Sequence, residues 1–312
     1  MYYAQRWLRV ALGVAIGLFA VIVDAADSST LTVLNLDHAS ICGSDLNALQ
    51  QVFTDVGLKP DYGGPHTNGG THMAFLGFDD GSYLELIAPQ SPGSANDSPW
   101  AKALAADAGP CAWAVLSGDI EKEVERLKAA GVPVEGPNRG SRKRTDGLSI
   151  EWLTAHVGGG AQGAVLPFVI EDRTPREWRV RPSESLKDSG LTGIDLVMVA
   201  VNDLKQSVDR FRKAYGWSEP LMENHPEFGA RMAYFPGEPV LLLAANDGKS
   251  WINERLQKYG EAPVGFLLLT QDLPATAKKF RLSNQKQQWF AQRVAWFDSN
   301  KLKGVRLGVI GR

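Results

Sequence analysis

The chain has 312 residues, of which 44% are hydrophobic and 22% charged, a balance typical of a soluble globular protein. This length leaves room for about two domains. The formal net charge of −2 provides no general basic surface for a nucleic acid, so we expect a small-molecule partner and no nucleic acid.

The N-terminal segment has the pattern of a secretory signal. Arg6 and Arg9 precede an apolar run from Val10 to Val23, which is shorter than the ~20 residues that span a bilayer. Val23 and Ala25 provide the small residues of a cleavage site, so residues 1–25 are predicted to be a signal peptide. We therefore expect a secreted or periplasmic protein with no stable membrane span after processing. A retained N-terminal anchor is the alternative.

The same short construction occurs four times along the chain: an apolar strand, an Asp followed by Leu or Ile, and an amphipathic helix. An Asp at the start of a helix accepts hydrogen bonds from free backbone N–H groups, and a Gly or Asn tolerates the turn that ends it. The predicted starts and stops are Asp45 and Gly57, Asp119 and Gly131, Asp203 and Gly216, and Asp272 and Asn284. Strand-like stretches follow each helix, which predicts four βαβββ modules.

The segment between the second and third modules, Arg173–Leu191, is rich in Pro, Arg and Ser and has few periodic apolar residues. This composition predicts a linker over residues 173–189. The predicted domains are therefore residues 29–172 and 190–312.

Five stretches of the first half, taken in order, resemble a glyoxalase-like domain of the vicinal oxygen chelate superfamily. They are Leu36–His38 followed by Asp45 and Leu46, Gly69–Phe75, Tyr83–Pro89, Ser141–Gly147 and Leu166–Asp172. The second half resembles that fold only through its repeat. The resemblance implies an α+β protein in which four βαβββ modules pair into two half-open β-barrels with the helices outside.

The resemblance also implies a metal on the first and last strands of a module, and this selects His38 and Glu85. The corresponding positions in the other modules cannot bind a metal: Ala112, Leu196 and Gly265 for His38, and Phe168, Leu242 and about Leu307 for Glu85. A site is therefore expected only in the first half. An imidazole and a carboxylate together suit Zn, Mn, Fe or Ni.

His72 begins a strand that should neighbour the strand of Glu85, and it is the preferred third metal ligand or acid/base group. His72 and Glu85 are thus the candidate catalytic residues. The loop Gly63–Gly70 could instead bring His66 to the site. The alternatives are that Glu85 lies at a rim in water, that His38 is a structural histidine, and that His72 is a polar strand end.

Arg142 and Arg144 lie in the densest basic cluster outside the linker, and a guanidinium there could bind a substrate carboxylate or phosphate. Trp152 and Phe168 could form an apolar wall of the same site. The alternatives are a solvated turn for the arginines and ordinary core positions for the aromatic residues.

Together these features predict an exported, metal-dependent lyase or isomerase that acts on a small oxygenated substrate in the first half. The alternative is a non-catalytic protein that binds or sequesters a small molecule. A third possibility, compatible with either function, is that the second half serves only as a scaffold or as the surface of a homodimer. An oxidising compartment would permit a bridge between Cys42 and Cys111, but their pairing cannot be derived from the sequence.

Overall fold

The structure is a computed structural model that describes residues 32–311, without the side chains of residues 284–286. The predicted signal peptide, residues 1–25, lies outside this range. Within the described range, no helix is both long enough and apolar enough to cross a membrane.

The first half is built from strands that alternate with short helices. Its elements are β1 Leu36–Cys42, α1 Leu46–Thr54, β2 Asp61–Pro65, β3 Thr71–Gly77, β4 Tyr83–Pro89, α2 Ala101–Ala105, β5 Gly109–Leu116, α3 Ile120–Ala129, β6 Val134–Lys143, β7 Ser149–Val157 and β8 Phe168–Asp172.

The predicted linker is partly helical, and the second half then repeats the order of the first. The elements are α4 Arg176–Arg179, a 3₁₀ turn Glu184–Leu186, β9 Leu191–Ala200, α5 Leu204–Tyr215, β10 Leu221–His225, β11 Ala230–Tyr234, β12 Val240–Ala245, α6 Trp251–Tyr259, β13 Ala262–Thr270, α7 Leu273–Phe280, β14 Ser283–Trp289, β15 Gln292–Trp296 and β16 Arg306–Gly311.

The strands form two eight-stranded sheets with the same topology, β2-β3-β4-β1-β5-β8-β7-β6 and β10-β11-β12-β9-β13-β16-β15-β14. In each module the last strand pairs in parallel with the first, as β4 does with β1. The two modules of a sheet meet through antiparallel first strands, β1 with β5 and β9 with β13. This arrangement confirms the predicted α+β fold of four βαβββ modules paired into two half-open barrels.

The four predicted Asp residues all begin their helices. Each carboxylate accepts a hydrogen bond from the backbone N–H three residues later, at Ala48, Lys122, Gln206 and Ala275. The predicted end of the fourth helix was wrong. α7 ends at Phe280, and Arg281, with φ of 53°, takes the left-handed turn that the sequence predicts at Asn284.

The helices α1, α3, α5 and α7 pack on the convex faces of the sheets, and this layer forms one apolar cluster with residues from both halves. The helices α2 and α6 instead contribute Leu104, Ile252 and Leu256 to the apolar clusters of the concave faces. Trp113 of β5 stacks on Phe211 of α5 with ring centroids 6.3 Å apart. Because the halves share this cluster, the domain boundaries stay a prediction.

The concave faces of the two sheets differ in what fills them. The concave face of the first sheet, here the first cup, carries His38, Glu85 and Arg142. The concave face of the second sheet is packed with aromatic rings: Phe228 lies 4.7 Å from Trp289 and 5.6 Å from Trp296 between ring centroids. The His38 and Glu85 pair that the sequence predicts as a site therefore lies in the first cup.

The first sheet curls until its two edge strands approach each other. His66, just after β2, forms a β-bridge with Arg142 of β6, and Thr67 N–H donates to the Ser141 carbonyl at 3.0 Å. These contacts close the cup on the side opposite its central strands. At the centre, Cys42 of β1 and Cys111 of β5 form a disulfide with Cα atoms 5.9 Å apart.

Candidate functional site

The first cup encloses a cavity of about 500 Å³. Strand alternation brings polar and aromatic side chains from both of its modules to one face, because successive residues of a strand point to opposite faces. The residues that matter for the chemistry are His38, His66, Met73, Tyr83, Glu85, Trp100, Arg142, Trp152, Phe168 and Arg179.

His38 and Glu85 meet in this cavity, as expected. His38 Nε2 lies 3.7 Å from Glu85 Oε2, and both side chains are buried. The hydroxyl of Ser40 donates to the same carboxylate oxygen at 2.8 Å. Glu85 is therefore a buried carboxylate inside the cup, which excludes the alternative of a glutamate at a rim in water.

The orientation of His38 is fixed by Asp37. His38 Nδ1 lies 2.5 Å from Asp37 Oδ1. Burial alone would raise the pKa of Asp37, but the Arg179 guanidinium and its hydrogen bonds, together with His38, hold that pKa well below its usual value. Because Asp37 is then a carboxylate, it accepts a proton-bearing Nδ1, and Nε2 faces Glu85 and the cavity.

Asp37 is in turn held by two arginines of the segment predicted to be a linker. Arg179 donates from Nη1 to Asp37 Oδ1 at 2.9 Å and from Nη2 to Oδ2 at 2.7 Å, and Arg176 Nη1 donates to Oδ2 at 2.5 Å. Arg179 also donates to Asp172 and, at 2.8 Å, to the hydroxyl of Tyr83. Residues 173–189 thus connect the two sheets and also support the site.

His72 does not reach the site. Thr71 and Met73 of β3 line the cavity, so His72 between them points to the other face of the strand. It lines a separate groove beside α1 and α2, with Asp45 and Gln90. The prediction that His72 is a third ligand or a catalytic group at this site is therefore wrong. Its strand β3 does neighbour the strand of Glu85, as predicted, but the His72 side chain lies on the opposite face of the sheet.

The donor set does not fit the metal that the resemblance implies. His38 and Glu85 offer one nitrogen and one carboxylate, and no group of three or more His, Cys, Asp or Glu among residues 32–311 is arranged to hold a metal ion. Zn and its neighbours in the first transition row are normally bound in proteins by at least three such side chains. We therefore derive no chemical step through a metal.

His66 is the second imidazole of the cavity. Its Nδ1 lies 2.7 Å from the Thr71 hydroxyl, and its ring packs edge-on against Trp152 at 5.9 Å between centroids. Burial lowers the pKa of His66, and the negative charge of Glu85 opposes this only in part. The loop Gly63–Gly70 thus brings a neutral imidazole to the site.

Three of the four predicted substrate-binding residues line the cavity and one does not. Arg142 lies in its wall, where its guanidinium donates to the backbone carbonyls of Gly63 and Arg179. Trp152 and Phe168 also line it, and Phe168 contacts the His38 ring edge-on at 5.4 Å. Arg144 lies outside, paired with Asp146 at 2.6 Å, because the strand has ended in a turn at that point.

Asp37, Tyr83, Arg176 and Arg179 were not among the candidate site residues. A signal for the arginines existed in the sequence, because Arg176 and Arg179 are three residues apart and so lie on one side of a helical turn. The partner of that pair is Asp37, which is 142 residues from Arg179 in the sequence. Only the fold brings the two together.

The strand register changes which two residues of the second half correspond to Glu85. β4 pairs with β1 so that Glu85 lies opposite Ser40, two residues after His38. The same offset from Leu196 and Gly265 leads to Leu241 and Gly308, not to Leu242 and Leu307. Neither residue binds metals, so the expectation of a single site in the first half is unchanged.

Comparison with known proteins gives one family. The model of the family described as Glyoxalase-like domain matches residues 36–197, which include the whole first sheet and most of β9. No curated relative matches the chain.

Solved structures share the fold over almost the whole chain. A hypothetical protein from Staphylococcus aureus has a TM-score of 0.60 at 15% identity, over 89% of this chain and 99% of that one. A mutant of 4-hydroxymandelate synthase from Streptomyces coelicolor has a TM-score of 0.57 at 14% identity, over 90% and 93%. Methylmalonyl-CoA epimerase from Mycobacterium tuberculosis covers 40% of this chain and 90% of its own, with 23% identity and a TM-score of 0.36. At these identities the likeness to the first two structures concerns the fold alone.

Proposed function

Because the chain belongs to the glyoxalase-like domain family of the vicinal oxygen chelate superfamily, we propose that its first cup binds a small oxygenated molecule and moves a proton on it. The reaction class would be that of an isomerase or a lyase. The observation that carries the proposal is the pair of His38 Nε2 and Glu85 Oε2, 3.7 Å apart and facing a cavity of about 500 Å³.

Each residue of the pair has a separate role. Glu85 takes a proton from a carbon next to a carbonyl group, and the electrons of that C–H bond move onto the carbonyl oxygen to form an enolate. As the imidazolium, with Nδ1–H donated to Asp37, His38 also donates a hydrogen bond from Nε2–H to that oxygen. Return of the proton to another carbon or to the other face gives an isomer, and loss of a leaving group from the neighbouring carbon gives a lyase product.

A charged group inside the cup is consistent with acid/base chemistry and is unusual in a purely structural position. A buried carboxylate is costly unless a donor, a cation or a proton compensates it. Ser40 donates one hydrogen bond, and Glu85 Oε1 has no hydrogen-bond partner among the described residues. That oxygen is therefore available to a ligand.

A second candidate, non-catalytic binding of a small molecule, is favoured by the aromatic walls of the same cavity. Trp152, Phe168 and Trp100 line it, and the rings of Trp100 and Phe168 lie 6.1 Å apart. Such a cup would hold a flat apolar molecule without any reaction.

Proton exchange separates the two functions. The purified chain is incubated in D₂O with small ketones and 2-oxo and 2-hydroxy acids, and loss of the proton next to the carbonyl is followed by ¹H NMR. We expect exchange with the wild type and its loss in Glu85→Gln, with His72→Ala unchanged. Binding without exchange would favour the non-catalytic function, and neither binding nor exchange would contradict both.

The same assay is run after treatment with EDTA and after addition of Zn, Mn, Fe or Ni. We expect exchange to survive EDTA, because no group of three or more His, Cys, Asp or Glu among the described residues is arranged to hold a metal ion. Metal content is measured in the wild type and in His38→Ala. About one metal per chain that disappears in the variant, with exchange that depends on it, would replace our mechanism with a metal-dependent one.

We also propose that the protein works outside the reducing cytoplasm. The disulfide between Cys42 and Cys111 supports this, since such bonds persist in oxidising compartments. Cell fractionation and N-terminal sequencing of the native protein test it. A mature chain that begins after Ala25 is expected, an intact N-terminus in the membrane fraction would indicate an anchor, and a reduced cytoplasmic chain would contradict the proposal.

A further inference from the structure

Two buried arginines lie near the first cup, and they differ in how their charge is compensated. Arg179 is 4% exposed and pairs with Asp37 and Asp172. Arg142 is 3% exposed, and within residues 32–311 no carboxylate lies within ion-pair distance of it. Its two hydrogen bonds go to backbone carbonyls, those of Gly63 and Arg179.

These two hydrogen bonds hold the plane of the Arg142 guanidinium but do not use all of its donors. A guanidinium has five N–H groups, so about three remain. Burial lowers the pKa of Arg142, and the negative charge of Glu85 offsets this only in part. A buried cation with free donors in the wall of a cavity is stabilised by an anion that enters it.

The charges in the cup limit the kind of anion. Among the charged side chains that line the cavity, Arg139 and Asp97 are exposed, whereas Arg142 is a buried guanidinium without a carboxylate partner and Glu85 is a buried carboxylate. A second negative charge on the ligand would be repelled by that carboxylate. A planar anion with one charge and two oxygens, the geometry of a carboxylate, matches the fork of a guanidinium.

The remaining walls favour a flat body behind the carboxylate. Trp152 lies across Gly140 so closely that a Cβ at Gly140 would be 2.3 Å from the indole Nε1. Trp100 is held by its own hydrogen bond, from Nε1 to the Gln162 carbonyl at 2.8 Å. With Phe168, these rings offer aromatic faces on which an unsaturated or aromatic group can pack.

We propose that the ligand of the first cup is a small monocarboxylate with a flat apolar body, and that Arg142 binds its carboxylate. The flat body lies against Trp152 and Phe168, with the reacting carbon toward Glu85. This inference rests on the proposed function, since it names the substrate class for the same cavity.

Benzoate and benzamide are the probes, because they share size and shape and differ in charge. Binding is measured by isothermal titration calorimetry or saturation-transfer NMR in low-salt buffer. We expect benzoate to bind the wild type roughly tenfold or more tightly than benzamide. Arg142→Met should remove that preference, and Arg142→Lys should keep only part of it, because an ammonium group lacks the fork.

Arg144→Met is the matched control, since Arg144 is near the end of the same strand but outside the cavity, and it should bind as the wild type does. Circular dichroism of each variant shows whether it is folded, and Arg142→Lys keeps the test usable if Arg142→Met does not fold. Equal binding of benzoate and benzamide, unchanged preference in folded Arg142 variants, or tighter binding of phenyl phosphate than of benzoate would overturn the inference.

Failure of the inference and failure of the proposed function are distinguishable. Benzoate has no proton on a carbon next to its carboxyl group, so its binding does not depend on proton transfer. A preference for benzoate without proton exchange on any substrate would support carboxylate binding by Arg142. It would contradict the catalytic function and favour a binding protein. Exchange on neutral ketones that is unaffected by Arg142→Met would support the proton-transfer function. It would contradict the inference that the substrate carries a carboxylate bound by Arg142.

Discussion

The two imidazoles of the cavity have different electrostatic partners. His38 faces the Asp37 carboxylate, whereas His66 faces the neutral hydroxyl of Thr71. A half-buried imidazole without a carboxylate in contact resists protonation, and desolvation accordingly lowers the pKa of His66. His66 therefore makes the stability of the cup depend on pH.

We predict that this dependence appears below about pH 6.5, the pKa of His66 in the unfolded chain. The lowered folded-state pKa means that the unfolded chain binds the proton more strongly, so stability falls as the pH drops from about 6.5 through the folded-state value. His66→Asn, which keeps a group that can bond to Thr71 but cannot titrate, should reduce this slope. Urea unfolding from pH 7.5 to 5 measures it.

The slope of stability against pH in each variant is subtracted from that of the wild type, so that the contributions of acidic groups common to both cancel. His72→Asn is the comparison variant: burial lowers the pKa of His72 as well, so this variant measures how much of the slope comes from the separate groove. Equal slopes in the wild type and His66→Asn would show that His66 does not carry the effect.

Gly140 is another residue whose role follows from geometry. Its missing side chain leaves the space that Trp152 occupies, and the Cβ of Gly140→Ala would lie 2.3 Å from Trp152 Nε1. We expect this variant to displace the indole, to lose about 1–3 kcal/mol of stability and to weaken benzoate binding. Gly159→Ala, whose Cβ would meet nothing within 4 Å, is the control. Urea unfolding and tryptophan fluorescence measure both, and equal behaviour would contradict the packing argument.

At the scale of elements, the four-residue helix α4 supports the site in the first cup. It carries Arg176 and Arg179, both of which reach Asp37 of β1. Asp37 has no exposed surface, so its charge depends on these partners. The connection between the two sheets thereby helps to orient His38.

Removal of one partner should be costly. Arg179→Met leaves Asp37 and Asp172 short of a cation, and we expect a loss of about 3 kcal/mol in the free energy of unfolding. Arg173→Met is the matched control from the same segment. Arg173 is 43% exposed and paired with Glu121 and Glu171, so its loss should cost less than about 1 kcal/mol. Chemical denaturation of both variants decides, and similar losses would contradict the role assigned to α4.

The sequence predicted the starts of the helices better than it predicted which face of a strand a side chain occupies. The four Asp starts were readable because capping depends on neighbours within three residues. The position of His72 was not, because a one-residue change in strand phase moves a side chain to the opposite face. His38 and Glu85 were found through the family resemblance, whereas Arg179 required a contact between residues far apart in the chain.

At the scale of the whole molecule, the disulfide links the two modules of the first sheet at its centre. Cys42 and Cys111 lie in β1 and β5, and 69 residues separate them in sequence. A cross-link that closes a long loop stabilises mainly by restricting the unfolded chain.

We predict that the Cys42→Ser/Cys111→Ser double variant loses about 2–4 kcal/mol of unfolding free energy. Reduction of the wild type with dithiothreitol should have a similar effect, and the reductant should not change the double variant further. Urea unfolding with and without the reductant measures this. A reduced wild type as stable as the oxidised one would show that the bridge contributes little.

The architecture of the whole molecule was predictable because it is repeated. Four copies of one pattern each support the others, which a single ambiguous strand cannot do. The pairing of Cys42 with Cys111 and the contents of the two cups were not predictable in this way. They depend on which residues the curled sheets bring together.

The aromatic filling of the second cup has a consequence for how the two halves change in evolution. Phe228, Trp289 and Trp296 occupy space, so a substitution there is acceptable when it preserves volume. In the first cup, charge and donor geometry at Glu85 and Arg142 matter more than volume. Across species, we expect the second cup to exchange one large apolar residue for another, while the first cup retains the identity of its ionisable residues and varies in the apolar ones that select the ligand.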